Sequence, residues 1–96
     1  MIVWVLYDIA DDRARTRVAR HCKQAGLYRV QYSVFIGELS ASDRDTLQLD
    51  ITDEIDEDCD KVYLFSLTGK ELKQAILLGQ AFDSKLVTDR VRHLLL

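Results

Sequence analysis

The sequence predicts an α+β fold in which both principal helices pack on one face of an antiparallel sheet. Three observations lead there. Apolar and amphipathic segments alternate in the order strand, helix, strand, strand, helix, strand. The 96 residues suffice for one hydrophobic core but not for two. Apolar residues make up 48% and charged residues 30%, the balance of an ordinary globular domain. The order βαββαβ is the ferredoxin-like arrangement, here with residues 1–67 as its core and 68–96 as a C-terminal extension of the same single domain.

Each element has its own signal. Ile2 to Tyr7 is a continuous apolar run of β-branched and aromatic residues, as in a strand buried on both faces. From Asp12 to Ala25 the residues Ala14, Val18, Cys22 and Ala25 form one helical stripe. Asp11 or Asp12 can cap its start, and Gly26 stands where a left-handed C-terminal cap belongs. Leu27 to Leu39 alternates as extended structure and is long enough for two strands with a tight bend near Gln31. Ser40-Ala41-Ser42-Asp43 resembles a capping box with Asp in place of Glu, and Leu47, Ile51 and Ile55 then recur every four residues to about Asp56. Glu57 to Asp60 reads as an acidic turn, and Lys61 to Leu67 as the fourth strand. Beyond it, Thr68-Gly69-Lys70-Glu71 looks like a second capping box. Ala75 to Leu78 reads equally well as a short strand. Ser84 to Leu96 places Leu86, Val87, Val91, Leu94 and Leu95 over a broad helical face.

The first strand carries the main inference about assembly. It sets Trp4 and Leu6 on one face and Val3, Val5 and Tyr7 on the other, all large and apolar. Two helices cover only one of these faces, and little chain remains for the second except the tail. A homodimer with stacked sheets is the economical answer, with the extension packing on the dimer or docking a partner.

Composition narrows the class further. No apolar run approaches the ~18 residues that span a bilayer, and Met1-Ile2-Val3-Trp4 lacks the basic region and cleavage site of a signal peptide. Cys22 and Cys59 stand far apart, giving neither a zinc ligand set nor a disulfide framework, so a reducing cytoplasm is the expected compartment. The net charge of −3 conceals an asymmetry: six basic side chains against two acidic between Asp11 and Gln31, then ten acidic against Arg44 alone between Glu38 and Asp60. An overall pI of 5.2 argues against a generic nucleic-acid binder but leaves room for a local basic face.

Few residues suggest chemistry. Asp8 ends the central strand, where a carboxylate can either ligate a hard divalent cation or cap the following turn. Across a two-fold axis, two copies of Asp8 could share one metal. On the first helix, Arg13, Arg17, Arg20 and Lys23 lie opposite the apolar stripe and Arg15 on its flank. This is either a phosphate-gripping face or a solvated one. Tyr28, Tyr32 and Phe35 beside Arg29 are either a stacking platform for bases or core and dimer contacts. His21 reads as a partly buried helix residue, His93 as part of a solvated tail, Cys22 as core, and Ser33 carries no motif of an activated nucleophile.

Taken together, Val5-Leu6-Tyr7-Asp8-Ile9, the run Asp11 to Ala19, and Gly26-Leu27-Tyr28-Arg29-Val30-Gln31-Tyr32-Ser33-Val34-Phe35-Ile36-Gly37-Glu38-Leu39 resemble the CRISPR-associated Cas2 family. The close match spans about the first 40 residues, with a looser fit at Lys61 to Leu67 and from Gly79 onward. The Cys-x-x-Cys of many relatives is replaced by Leu67-Thr68-Gly69-Lys70. The resemblance implies a ferredoxin-like homodimer acting in spacer acquisition, with Asp8 of both chains facing a shared Mg2+. It implies that Tyr7, Arg15, Arg17, Arg29, Ser33 and Phe35 match positions tied to nuclease activity in some members. It also implies partnership with the CRISPR integrase on duplex DNA. Some members act as metal-dependent endonucleases on single-stranded RNA or duplex DNA and others as scaffolds. In the enzymatic reading the Asp8 pair holds Mg2+ and Arg15, Arg17 and Arg29 place the phosphate. In the scaffold reading Arg13, Arg17 and Arg20 grip backbone without chemistry.

Overall fold

A computed structural model describes residues 1–82. The elements follow in the expected order: β1 (Ile2–Asp8), α1 (Asp12–Gln24), β2 (Tyr28–Gln31), β3 (Val34–Glu38), α2 (Ala41–Glu54), β4 (Lys61–Leu67) and a short α3 (Gly69–Lys73). The strands form one sheet in the order β2-β3-β1-β4, with every pairing antiparallel. β1 is therefore central, flanked by β3 through Val5↔Phe35 and by β4 through Val5↔Leu64.

The ends of α1 are set by local chemistry. Asp11 is the N-cap and its carboxylate accepts from Ala14 N at 2.8 Å. At the other end, Gly26 takes φ 100°, letting its N–H reach Lys23 O and that of Leu27 reach Cys22 O, each at 3.0 Å. The turn so made lies against β3. A Cβ on Gly37 would stand 2.8 Å from Leu27 Cδ2 and 3.2 Å from Gly26 O, so only glycine fits there. In α2, Ser40 accepts from Asp43 N at 3.0 Å, one half of the expected box, and the helix stops at Glu54. Thr68 and Glu71 complete a full capping box on α3.

Two details differ from expectation. The bend between β2 and β3 falls at Tyr32–Ser33 rather than near Gln31, because a register shift between Arg29 and Gln31 places an extra residue in β2. Ala75 to Leu78 forms no strand, and Ile76 and Leu78 stand 83% and 78% exposed. The expected tail helix over Ser84 to Leu96, and His93 within it, lie outside the described residues.

Both faces of β1 bury apolar side chains, as its composition requires. Val3, Val5 and Tyr7 join Val18, Cys22, Phe35, Leu47 and Ile51 under the two helices. On the opposite face, Ile2 packs with Val30, Ile36 and Leu72, and Trp4 meets Phe82 with ring centroids 5.6 Å apart. Leu72 and Phe82 thus bring part of the extension back onto the sheet. The cover is incomplete: Tyr63 and Phe65, the β4 partners of Leu6 and Trp4, remain 53% and 52% exposed.

Candidate nucleic-acid interface

Tyr7 is the hinge of the site. It is the last buried residue of β1, and Tyr7 N donates to Ser33 O at 3.1 Å, tying the strand to the β2–β3 turn. Its ring stacks on Phe35 at 6.4 Å, and its hydroxyl donates to Tyr32 O at 3.3 Å. The Arg29 guanidinium stands 5.0 Å over the Phe35 ring, a cation–π contact. Burial raises the Tyr7 phenol above its ordinary range, while Arg29 and Arg15 pull against that shift. The phenol therefore stays protonated at neutral pH and serves as a fixed donor.

Around this group opens a cleft of about 440–660 Å³ scale, measured at 660 Å³, between α1 and the β2–β3 turn. Tyr7, Arg29, Tyr32 and Ser33 form one wall; Arg15, Arg20 and Lys23 of α1 rise from the other, above the smaller Thr16 and Ala19. Four cations and no carboxylate line it. Arg15 is held in place by donating to Ile9 O at 3.1 Å and by an ion pair with Asp12.

The structure divides the sequence candidates. Tyr7, Arg15, Arg29 and Ser33 come together in the cleft, with Phe35 directly beneath as a fully buried core residue. Arg17 does not join them: it reaches across to α2 and pairs with Glu54. Glu54 also faces His21 Nε2 at 3.5 Å, and its carboxyl is held below the usual range chiefly by the Arg17 hydrogen bond. Arg13, Arg17 and Arg20 share a second, shallower concavity on the outer face of α1. Of the three proposed stacking rings, only Tyr32 is available, 75% exposed; Phe35 is buried and Tyr28 packs with the second core cluster.

Asp8 stands apart from the cleft. It is exposed, opposite Lys61 in the β1–β4 register, and by strand alternation it shares the helix-free face with Trp4 and Leu6. The loop that follows it is anchored by a residue the sequence did not single out. Asp60 accepts from Ala10 N at 3.1 Å and from Asp56 N at 2.9 Å, and these backbone bonds hold its carboxyl below the usual range. Among the described residues, no group of three or more His, Cys, Asp or Glu side chains could hold a metal ion. One Asp8 supplies one carboxylate, which suits Mg2+ only as part of a larger ligand set.

The fold and the cleft define a small α+β protein with a basic binding face on its first helix. The model of the family described as CRISPR associated protein Cas2 matches residues 1–75, and the chain belongs to that family. It is 40% identical over 79 residues to a CRISPR-associated endoribonuclease Cas2 of Chloroflexus aurantiacus, covering 82% of this chain and 93% of that protein. It is 37% identical over 79 residues to one of Archaeoglobus fulgidus, covering 82% and 84%. The crystal structure of Streptococcus pyogenes Cas2 superimposes with a TM-score of 0.68 at 27% identity, over 82% of this chain and all of that one. No helix among the described residues is long and apolar enough to cross a membrane.

Proposed function

We propose that this chain acts in CRISPR spacer acquisition as a homodimer on duplex DNA beside the integrase, and that it has metal-dependent endonuclease activity on phosphodiesters. Family membership supports the CRISPR role, and the relatives' description as endoribonucleases supports the nuclease. The observation that carries the reading is the end of β1. There a strand that packs on both faces delivers Asp8 to the helix-free side, next to Tyr7 at the mouth of a cleft lined by cations.

The helix-free face gives the dimer its physical basis. Leu6, Tyr63 and Phe65 leave an apolar strip there that the extension does not cover. Stacking two such faces about a two-fold axis buries the strip and brings the two Asp8 carboxylates toward each other. Their donor chemistry fits Mg2+, which takes one or two carboxylates and keeps several waters. When bound there, Mg2+ supplies Lewis-acid polarisation of a phosphodiester and a more acidic bound water. The chain's own groups do the rest. Arg15 and Arg29 hold the phosphate and offset charge developing on it. Tyr7 and Phe35 keep the Arg29 guanidinium in place, and Ser33 fixes the turn against β1. Arg13, Arg17 and Arg20 grip duplex backbone. The extension from residue 68 docks the integrase.

A second reading, a non-catalytic dimeric scaffold, is favoured by the single carboxylate per chain at this place. Cleavage of defined RNA and DNA by wild type and Asp8→Asn, in Mg2+ and in chelator, separates the two. Asp8→Asn keeps the shape and removes the charge, so it abolishes both cleavage and the Mg2+-dependent rise in melting temperature without unfolding the protein. Wild type that cleaves no substrate in an Asp8-dependent way leaves the scaffold. Equal stabilisation of both proteins by Mg2+ removes the Asp8 site from either reading. A monomer persisting at high micromolar concentration in sedimentation overturns the dimer.

A further inference from the structure

We infer that the cleft between α1 and the β2–β3 turn is a pocket for one unpaired nucleotide of a single strand, with its phosphate on Arg20 and Lys23 and its base on the ring of Tyr32. The inference rests on the chain being a nucleic-acid protein but not on Asp8 or on a metal.

Several independent features converge there. The volume, 660 Å³, lies within the range that encloses small ligands rather than a groove that tracks a duplex. The lining is cationic on α1 and carries no carboxylate, whereas the neighbouring concavity on the same helix includes Asp12. Arg15 and Arg17 are committed to carboxylates, but among the described residues neither Arg20 nor Lys23 has an ion-pair partner. On the opposite wall, Arg29 has a buried Nε with no hydrogen-bond partner, a costly state that an acceptor drawn into the cleft relieves.

Tyr32 sets the class of ligand. It is 75% exposed at the tip of the turn while its backbone carbonyl accepts from Tyr7, so the ring is presented outward from an anchored backbone. An exposed aromatic beside cations is the combination that holds single strands, in which each base offers a free face. In a duplex the bases are stacked on each other and cannot reach such a ring. Thr16 and Ala19 are small enough to leave the floor open between the cationic side chains.

The test is made on the full chain in chelator, so that cleavage does not intervene. The probes are an oligouridylate of about six nucleotides, uridine monophosphate, inorganic phosphate and a blunt DNA duplex. Tyr32→Ala weakens oligouridylate binding roughly fivefold to a hundredfold and leaves duplex binding unchanged. Lys23→Gln lowers the salt slope of oligouridylate binding by about 0.7. Both side chains are exposed, so neither substitution tests folding. The inference is overturned if Tyr32→Ala affects both nucleic acids equally or neither, or if Lys23→Gln leaves the slope intact. Uridine monophosphate binding as tightly as the oligomer assigns the pocket to a free nucleotide and also overturns it. Silent Tyr32 and Lys23 variants beside intact Asp8-dependent cleavage remove this pocket alone. A Tyr32-dependent strand site beside absent cleavage removes only the nuclease.

Discussion

Arg17 is occupied by a neighbour rather than free for phosphate, and Glu54→Gln is the change that exposes the consequence. The Arg17 side chain is 44% exposed, and its guanidinium donates to Glu54 across the gap between α1 and α2. The Glu54 carboxyl is held below the usual carboxylate range, so it is ionised at neutral pH and competes with DNA for this cation. The glutamine keeps the size and removes the charge. Freed Arg17 then adds about one phosphate contact, which steepens the dependence of log affinity on log salt by about 0.9. Between about 50 and about 200 mM salt, the variant's duplex affinity falls roughly threefold to fourfold more than that of wild type. Fluorescence anisotropy of a labelled duplex, titrated at several salt concentrations, reads this directly. The double variant Arg17→Ala/Glu54→Gln should behave as Arg17→Ala alone, because the gain passes through that one guanidinium. An unchanged slope in Glu54→Gln would show that Arg17 never reaches the backbone. A gain that survives Arg17→Ala would assign the effect to the general loss of negative charge.

Two further expectations concern stability. Burial pushes the Cys22 thiol up to about 12 from an ordinary 9.0. Above the ordinary value the unfolded chain loses this proton while the native one keeps it, so stability falls as pH rises, by about 1.4 kcal/mol per pH unit and about 4 kcal/mol in all. The raised Tyr7 phenol acts in the same direction at still higher pH. Urea unfolding across the alkaline range should show this decline, and Cys22→Ala should flatten it; an equally steep fall in the variant would locate the titration elsewhere. Gly37→Ala places a methyl 2.8 Å from Leu27 Cδ2 and 3.2 Å from backbone atoms of the α1–β2 turn. That overpacking should cost about 1–3 kcal/mol in chemical denaturation, and a neutral result would mean that the turn yields without strain.

The fold was legible because its signals are local. The two-faced apolar run of β1, the stripe on α1 and the glycine at its end each specify one element with little help from outside. The bend between β2 and β3 was misplaced by one residue because a strand irregularity at Val30 leaves no mark in the alternation. The role of Ala75 to Leu78 was ambiguous because short apolar runs suit several environments, and here the chain leaves Ile76 and Leu78 in solvent. The functional residues divided along the same line. Arginines on a helix are visible in any sequence, but which of them are committed depends on contacts from distant elements. Glu54 claims Arg17, and Asp60 anchors the loop after Asp8, from positions 37 and 50 residues away from their partners. The cleft did leave a trace that was readable in retrospect: Thr16 and Ala19 set small residues between Arg15, Arg20 and Lys23 along one side of α1.

The central position of β1 also governs how the molecule comes into being. It is the first strand to leave the ribosome, yet Ile2 pairs with Glu38 on one side and with Leu67 on the other. Neither neighbour exists while β1 and α1 are being synthesised. Pairings of such long separation make folding slow, since loop closure must precede the contacts that reward it. Until β4 has emerged, Val3, Val5 and Tyr7 lack a complete sheet, and until Leu72 and Phe82 follow, Trp4 lacks its cover. The nascent chain therefore carries its most apolar segment uncovered for most of its synthesis, and the last-made residues are those that close over the first.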